Sequence, residues 1–199
     1  RQRQMCIRDR SQSGQSHARG IEALPGDLMM WVLIVSELLV FGAGLLAFMG
    51  VRLTDPAGFA EAQSHLDRTG AGINTMILVT SGWLAALAVQ DTLAARMARA
   101  RILLLGAAVL GVVFLWIKGV EYASKGAAGI TFETHPFFTF YYLLTGFHAA
   151  HVVAGVAILC LVAIRPRPTL VEAGAMFWHM VDLVWVLLFP VIYLLGAAS

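Results

Sequence analysis

The chain has few cysteines and few charged side chains, and both shortages limit the kinds of site and partner that it can have. Of its 199 residues only two are cysteine and 13% are Asp, Glu, Lys or Arg. Cys6 lies in a polar leader and Cys160 in an apolar run, so the sequence offers neither a disulfide framework nor a thiolate metal site. The net charge is only +2 and the basic residues lie between hydrophobic runs, which argues against a nucleic-acid partner.

What the chain has in excess is hydrophobicity, since 59% of its residues are hydrophobic and its mean hydropathy is +0.76. A helix needs about 20 apolar residues to cross the hydrocarbon core of a bilayer. The sequence predicts five such helices, at about residues 28–51, 73–89, 102–120, 137–164 and 173–197. The predicted fold class is therefore all-α: one integral membrane bundle of five transmembrane helices over residues 27–199.

Residues 1–26 differ from the rest of the chain because they are polar and basic and lack apolar periodicity. We predict that this leader is disordered and that part of it is artefactual, because the chain does not begin with Met. Its arginines, with those in the second and fourth connections, mark alternate ends of the five helices. Short loops rich in Lys and Arg favour the cytoplasm, so the prediction is N-terminus inside and C-terminus outside.

Ionisable side chains within the apolar segments are the candidates for function, because such groups are costly in lipid unless they are paired or face protein or water. Glu37 lies about nine residues into the first segment, which at 1.5 Å per residue places it about 14 Å deep. His179 and Asp182 are three residues apart and share a face of the fifth helix, as do His148 and His151 on the fourth. Both pairs are expected near the midplane, where they could meet.

Three interpretations of these residues are open. The first is structural, with interhelical hydrogen bonds that fix the bundle. The second gives Glu37 or Asp182 a role in proton handling, because intramembrane carboxyl groups mark proton pathways. The third is a haem or metal site in which His148, His151 and His179 supply two imidazoles to an iron.

Glu121 differs from these residues in its depth. It lies near the outer end of the third segment, beside Lys118 and Tyr122. A long side chain at that depth can reach the membrane interface, so we expect Glu121 to be paired or to extend toward water.

Several motifs resemble the subunit III family of haem–copper oxidases. The segment Phe177–Trp185 resembles the family's WHxxDxxW signature, and Thr145–Gly155 resembles its TGFHxxHVxxG helix. Ser36 and Glu37, followed by Phe41, are similar to the family's SExxxF helix. Weaker matches lie in the second and third helices at Asn74-Thr75, Ser81-Gly82 and Glu121-Tyr122. The resemblance covers about residues 25–197 and is to the short, five-helix form.

The resemblance implies an accessory role beside the catalytic subunit, in support of proton uptake, stability and assembly in a bacterial plasma membrane. It implies that haem and copper belong to partner subunits and that this chain has no catalytic or metal-binding residue. Glu37 is the candidate for proton handling. The residues predicted to form an intramembrane polar network are His148, His151, His179, Asp182 and Glu121. Phospholipid at a subunit boundary is also expected.

Other functions remain open at this point. The connection Phe59–Leu66 and the ending Val181–Pro190 resemble subunit III relatives found with nitric oxide reductases, so an activation or assembly protein of such a reductase is one alternative. A free-standing proton or small-solute transporter is another, although the sequence shows neither an inverted repeat nor a broken helix. A haem-bearing cytochrome b is the third.

Overall fold

The computed structural model describes residues 28–195, and nearly all of them are helical. The six α-helices in this range are α1 (Leu28–Arg52), α2 (Pro56–Ser64), α3 (Arg68–Leu93), α4 (Met97–Ala127), α5 (Pro136–Ile164) and α6 (Pro168–Phe189). A π-helical turn, Pro190–Leu194, continues α6, and the described residues include no β-strand. The predictions for the leader at residues 1–26 lie outside the described residues.

Five of these helices are long and apolar enough to cross a bilayer: α1, α3, α4, α5 and α6 with its π-helical turn. The predicted five-helix fold is therefore confirmed. Some helices extend well beyond their apolar segments, and α3 begins at Arg68 rather than near residue 73. Its N-cap is Asp67, whose carboxylate accepts a hydrogen bond from the backbone N–H of Gly70 at 2.9 Å.

The short helix α2 lies between α1 and α3 and packs on the start of α5. Its N-cap is Asp55, which accepts a hydrogen bond from the Gly58 N–H at 3.0 Å. That bond, together with a hydrogen bond to the side chain of His135, lowers the pKa of Asp55. On the inner face of α2, the Gln63 side chain donates to the carbonyl of Ile192 at 2.5 Å and so ties α2 to the π-helical turn.

The helices α3, α4, α5 and α6 form a closed ring in which each packs on the next and α6 packs back on α3. The remaining long helix, α1, lies outside this ring against α5 and α6. Only Phe41 and Phe48 of α1 are buried. Most of its apolar surface therefore faces outward.

The centre of the ring is organised around the indole of Trp178 on α6. A Cβ added at Gly155 on α5 would lie 2.5 Å from Trp178 Cε3, and one added at Gly111 on α4 would lie 2.6 Å from Trp178 Cη2. The indole N–H donates to the Ser81 hydroxyl of α3 at 3.0 Å, and that hydroxyl donates to the carbonyl of Ala107 at 2.8 Å. One side chain thus contacts three neighbouring helices, two of them through glycines.

Candidate functional site

A cluster of buried ions lies where α4, α5 and the π-helical turn meet. The Lys118 ammonium donates to Glu121 Oε2 at 2.7 Å, to the Tyr193 hydroxyl at 2.7 Å and to the Tyr141 hydroxyl at 3.3 Å. An ammonium group has three N–H donors, so these three acceptors satisfy it fully. We call the five residues that meet here the Lys118 cluster: Lys118, Glu121, Lys125, Tyr141 and Tyr193.

Glu121 is the acceptor at the centre of the Lys118 cluster. Its Oε1 accepts from the Tyr141 hydroxyl at 2.8 Å and from the Tyr193 hydroxyl at 3.2 Å, and it lies 3.6 Å from Lys125 Nζ. The side chains of Lys118, Glu121 and Lys125 are 3%, 13% and 6% exposed. Burying charges at such low exposure is tolerated only when they are paired and hydrogen-bonded, and this cluster meets both conditions.

Aromatic rings surround the Lys118 ammonium. Its nitrogen lies between 5.2 and 5.5 Å from the ring centroids of Tyr122, Tyr141, Trp185 and Tyr193. The negative face of an aromatic ring attracts a cation, most strongly where water is excluded. The rings therefore help to offset the excess positive charge of the cluster, in which two ammonium groups share one carboxylate.

Glu37 on α1 contacts His151 on α5, with 3.3 Å between Glu37 Oε2 and His151 Nε2. The other ring nitrogen of His151 lies 2.9 Å from the carbonyl of Phe147, which can only accept, so Nδ1 carries a proton. Neutral His151 then presents a bare Nε2 toward the carboxyl. The two groups therefore lie within ion-pair distance, and Glu37 Oε2 makes no hydrogen bond within the described residues.

The remaining intramembrane candidates lie elsewhere in the bundle. His179 and Asp182 on α6 are 3.9 Å apart, too far for a hydrogen bond, and their side chains are 47% and 11% exposed. Asp182 faces Gly82 of α3, where an added Cβ would collide with the carboxylate. His148 is fully buried, stacks on Trp185 with 5.1 Å between ring centroids, and makes no hydrogen bond within the described residues.

The structure therefore distributes the six predicted site residues over four places. Glu121 lies in the Lys118 cluster, Glu37 and His151 form one pair, His179 and Asp182 lie side by side, and His148 lies among aromatic rings. Over residues 28–195, no hydrogen bond or ion pair joins the two histidines of α5 to Asp182 or His179. The expected meeting of those two pairs does not occur.

Sequence reasoning gave no role to Lys118, Lys125, Tyr141 or Tyr193. One signal was present, because Lys118, Glu121 and Lys125 are spaced by three and four residues and so share a face of α4. Lys118 and Lys125 are also the only two lysines in the chain. The two tyrosines carried no such signal because they come from other helices.

At the opposite end of the bundle, Asp91 on α3 is a buried carboxylate that sequence reasoning missed. It lies 2.7 Å from Arg96 and 3.0 Å from Arg99, across the turn between α3 and α4. Its side chain is buried while both arginines are largely exposed. This arrangement fixes the turn and leaves the positive charge at the surface.

Between residues 28 and 195, no group of three His, Cys, Asp or Glu side chains is placed to hold a metal ion. The five membrane-crossing helices define a multi-pass membrane protein of the all-helical class.

Comparison with known protein families identifies the family of this membrane protein. The family model described as cytochrome c oxidase subunit III matches residues 7–197. The chain belongs to the cytochrome c oxidase subunit III family.

Individual relatives agree with this assignment. The chain is 31% identical over 179 residues to the heme-copper oxidase subunit I+III of Aeropyrum pernix, covering 83% of this chain and 22% of that protein. It is 33% identical over 177 residues to cytochrome c oxidase subunit 3 of Marchantia polymorpha, covering 82% and 66%. With the subunit 3 of Alkalihalophilus pseudofirmus it shares 30% identity over 186 residues, covering 86% and 87%. The chain thus spans less than two thirds of the Aeropyrum and Marchantia proteins.

Proposed function

We propose that the chain is a non-catalytic subunit of a haem–copper oxidase and packs beside the catalytic subunit in the membrane. The observation that carries this proposal is the family match over residues 7–197. The name of the Aeropyrum relative, subunit I+III, also joins a subunit III to a subunit I in one protein. The outward-facing apolar surface of α1 offers area for such a contact.

In this proposal the haem and copper belong to partner subunits, and the residues of this chain only support them. The membrane is proposed to be a bacterial plasma membrane, with the N-terminus inside. Phospholipid at a subunit boundary also stays a prediction. A groove of about 360 Å³ between α1 and the start of α6, lined by apolar residues such as Met29, Leu33 and Met176, has room for part of an acyl chain.

The first test is purification of the tagged chain from native membranes in a mild detergent. We expect a haem–copper catalytic subunit to co-purify, detected by mass spectrometry and by haem absorption bands. An unrelated multi-pass membrane protein with the same tag is the control. Recovery of the chain alone, with no haem protein above that control, would contradict the proposal. Capture of a nitric oxide reductase instead of an oxidase would favour that alternative.

We further propose that Glu37 handles protons for the complex, with His151 as its partner. The 3.3 Å contact supports this role because it places an ionisable carboxyl beside an imidazole within the membrane. Replacing Glu37 with Gln keeps the size of the side chain but removes its ability to ionise. We expect the assembled complex to form at normal yield, and its turnover or its lifetime during turnover to fall several-fold.

Glu133→Gln is the matched control, because Glu133 is an exposed carboxylate in the connection between α4 and α5. That variant should leave both turnover and lifetime unchanged. If Glu37→Gln behaves like the control, the contact with His151 has only a structural role. Turnover and lifetime should be measured in the purified complex across a range of pH, since a proton-handling group changes the pH profile and a packing group does not.

A further inference from the structure

A cavity of about 280 Å³ lies next to the Lys118 cluster, at the end of the bundle where α3 begins and α4 ends. Exposed residues line one part of it, namely His65, Asp67 and Ser124. Buried or partly buried residues line the other part, namely Glu121, Lys125 and Ile117. The lining therefore runs from the protein surface to the charged centre of the cluster.

The length of α4 places this cavity relative to the membrane. Its 31 residues span about 46 Å, whereas the hydrocarbon core is about 30 Å thick. If the extra length of the helix is divided equally between its two ends, each end projects about 8 Å beyond the hydrocarbon core. Lys125 then lies among the lipid headgroups, Glu121 at the edge of the hydrocarbon, and Lys118 within it.

The chemistry of the lining suits water. A water molecule takes about 30 Å³ in the liquid and needs two to four polar partners, so the cavity has room for several. Glu121 offers a carboxylate, Ser124 a hydroxyl, and Lys125 an ammonium. That ammonium lies near the carbonyl of His65, at 3.3 Å, and near Glu121 Oε1, at 3.6 Å, which leaves one of its three N–H groups for the cavity.

We propose that this cavity is a water-filled vestibule through which Glu121 and Lys125 contact the aqueous phase, while Lys118 is sealed behind them. Water and hydrated protons are the ligands it admits. The tyrosines form the seal, because Tyr141 and Tyr193 occupy the Lys118 N–H groups that Glu121 leaves free. The titratable groups that face the vestibule and the cluster are His65, Asp67, Lys118, Glu121, Tyr122, Lys125, Tyr141 and Tyr193. The proposal concerns the chain's own residues and holds whichever partner the chain binds.

Cysteine reactivity tests the depth of the vestibule. Two residues of α4 at nearly the same depth differ in surroundings: Ile117 lines the vestibule, while Trp116 lies on the exposed apolar face. Ser124 and its neighbour Ala123 form a second such pair nearer the end of the helix. The variants Ile117→Cys, Trp116→Cys, Ser124→Cys and Ala123→Cys are made with Cys6 and Cys160 replaced by Ser. They are treated in open membrane fragments with a charged methanethiosulfonate, so that reagent reaches both faces.

Methanethiosulfonates react with the thiolate, which forms in water and not in lipid. We expect the two vestibule cysteines to react at least about tenfold faster than their matched controls, in proportion to their thiolate content. Reaction of Ile117→Cys no faster than Trp116→Cys would overturn the proposal, even if Ser124→Cys reacts quickly, because the cavity that Ile117 and Glu121 line together would then hold no water.

A second measurement uses the wild-type chain and so does not depend on any variant folding. Lys118 and Lys125 are its only lysines. Reductive methylation with formaldehyde and cyanoborohydride in native membranes therefore modifies these two side chains and the N-terminal amine, and mass spectrometry of peptides separates the three sites. We expect Lys125 to be methylated and Lys118 to be protected until the protein unfolds. Protection of Lys125 equal to that of Lys118 would overturn the proposal.

Discussion

Replacing Glu121 with Gln is expected to destabilise the bundle by about 3 kcal/mol, because breaking a buried ion pair leaves an uncompensated buried charge. Glutamine keeps the shape of the side chain but leaves two ammonium groups, Lys118 and Lys125, with no carboxylate hydrogen-bonded to either. The measurement is unfolding of the purified chain in mixed micelles by titration with sodium dodecyl sulfate, followed by tryptophan fluorescence.

Glu61→Gln, on the exposed face of α2, is the control and should change the unfolding free energy very little. The double variant Glu121→Gln/Lys118→Met removes one ammonium together with the carboxylate. We expect it to recover part of the loss, because it eliminates the unpaired charge at the most buried position. Equal stability of Glu121→Gln and wild type would show that the Lys118 cluster does not contribute to the fold.

Gly155→Ala is expected to destabilise the bundle by about 1–3 kcal/mol, the usual range for overpacking a core. The new methyl group would lie 2.5 Å from the Trp178 ring, which cannot move away because Gly111 contacts its other edge. The matched control is Gly146→Ala on the same helix, where an added Cβ meets no atom within 4 Å. Both variants change a helical glycine to alanine, so the difference between them isolates the clash.

Unfolding in mixed micelles again gives the measurement. The double variant Gly155→Ala/Trp178→Phe tests the cause, since the smaller ring makes room for the methyl group but loses the hydrogen bond to Ser81. We expect the second substitution to cost less in the Gly155→Ala background than in the wild type. Equal costs in the two backgrounds would mean that the glycine and the indole do not interact.

Hydrophobicity alone predicted the five crossing helices, because an apolar run of this length is favourable in lipid and must be helical there to satisfy its backbone hydrogen bonds. It could not predict their ends. The apolar signal of α3 stops near residue 89, but the helix continues to Leu93 because Asp91 is held in its last turn by Arg96 and Arg99. The short helix α2 was also missed, since nine residues with mixed polarity give no membrane signal.

The candidate site was predictable only where its residues share one helix. Lys118 and Glu121 are three residues apart, so their proximity could be predicted from helix geometry alone. Tyr193 joins them from 72 residues beyond Glu121, and only the packing of α6 on its neighbours brings it there. The contact between Glu37 and His151 could not be predicted from the sequence either. The arrangement of the helices in space decides which histidine lies next to the Glu37 carboxyl, and residue spacing does not give that arrangement.

The position of α1 outside the ring has a consequence for how the protein is made. The ribosome makes α1 before α3 and α4, and the helices that α1 packs against, α5 and α6, follow only after those two. During that interval Glu37 is in the bilayer without His151, although a charged group there costs several kcal/mol unless it is paired or reaches water. An insertion partner that shields the Glu37 carboxyl would remove that cost. When α5 later brings His151 to the carboxyl, the insertion partner would dissociate.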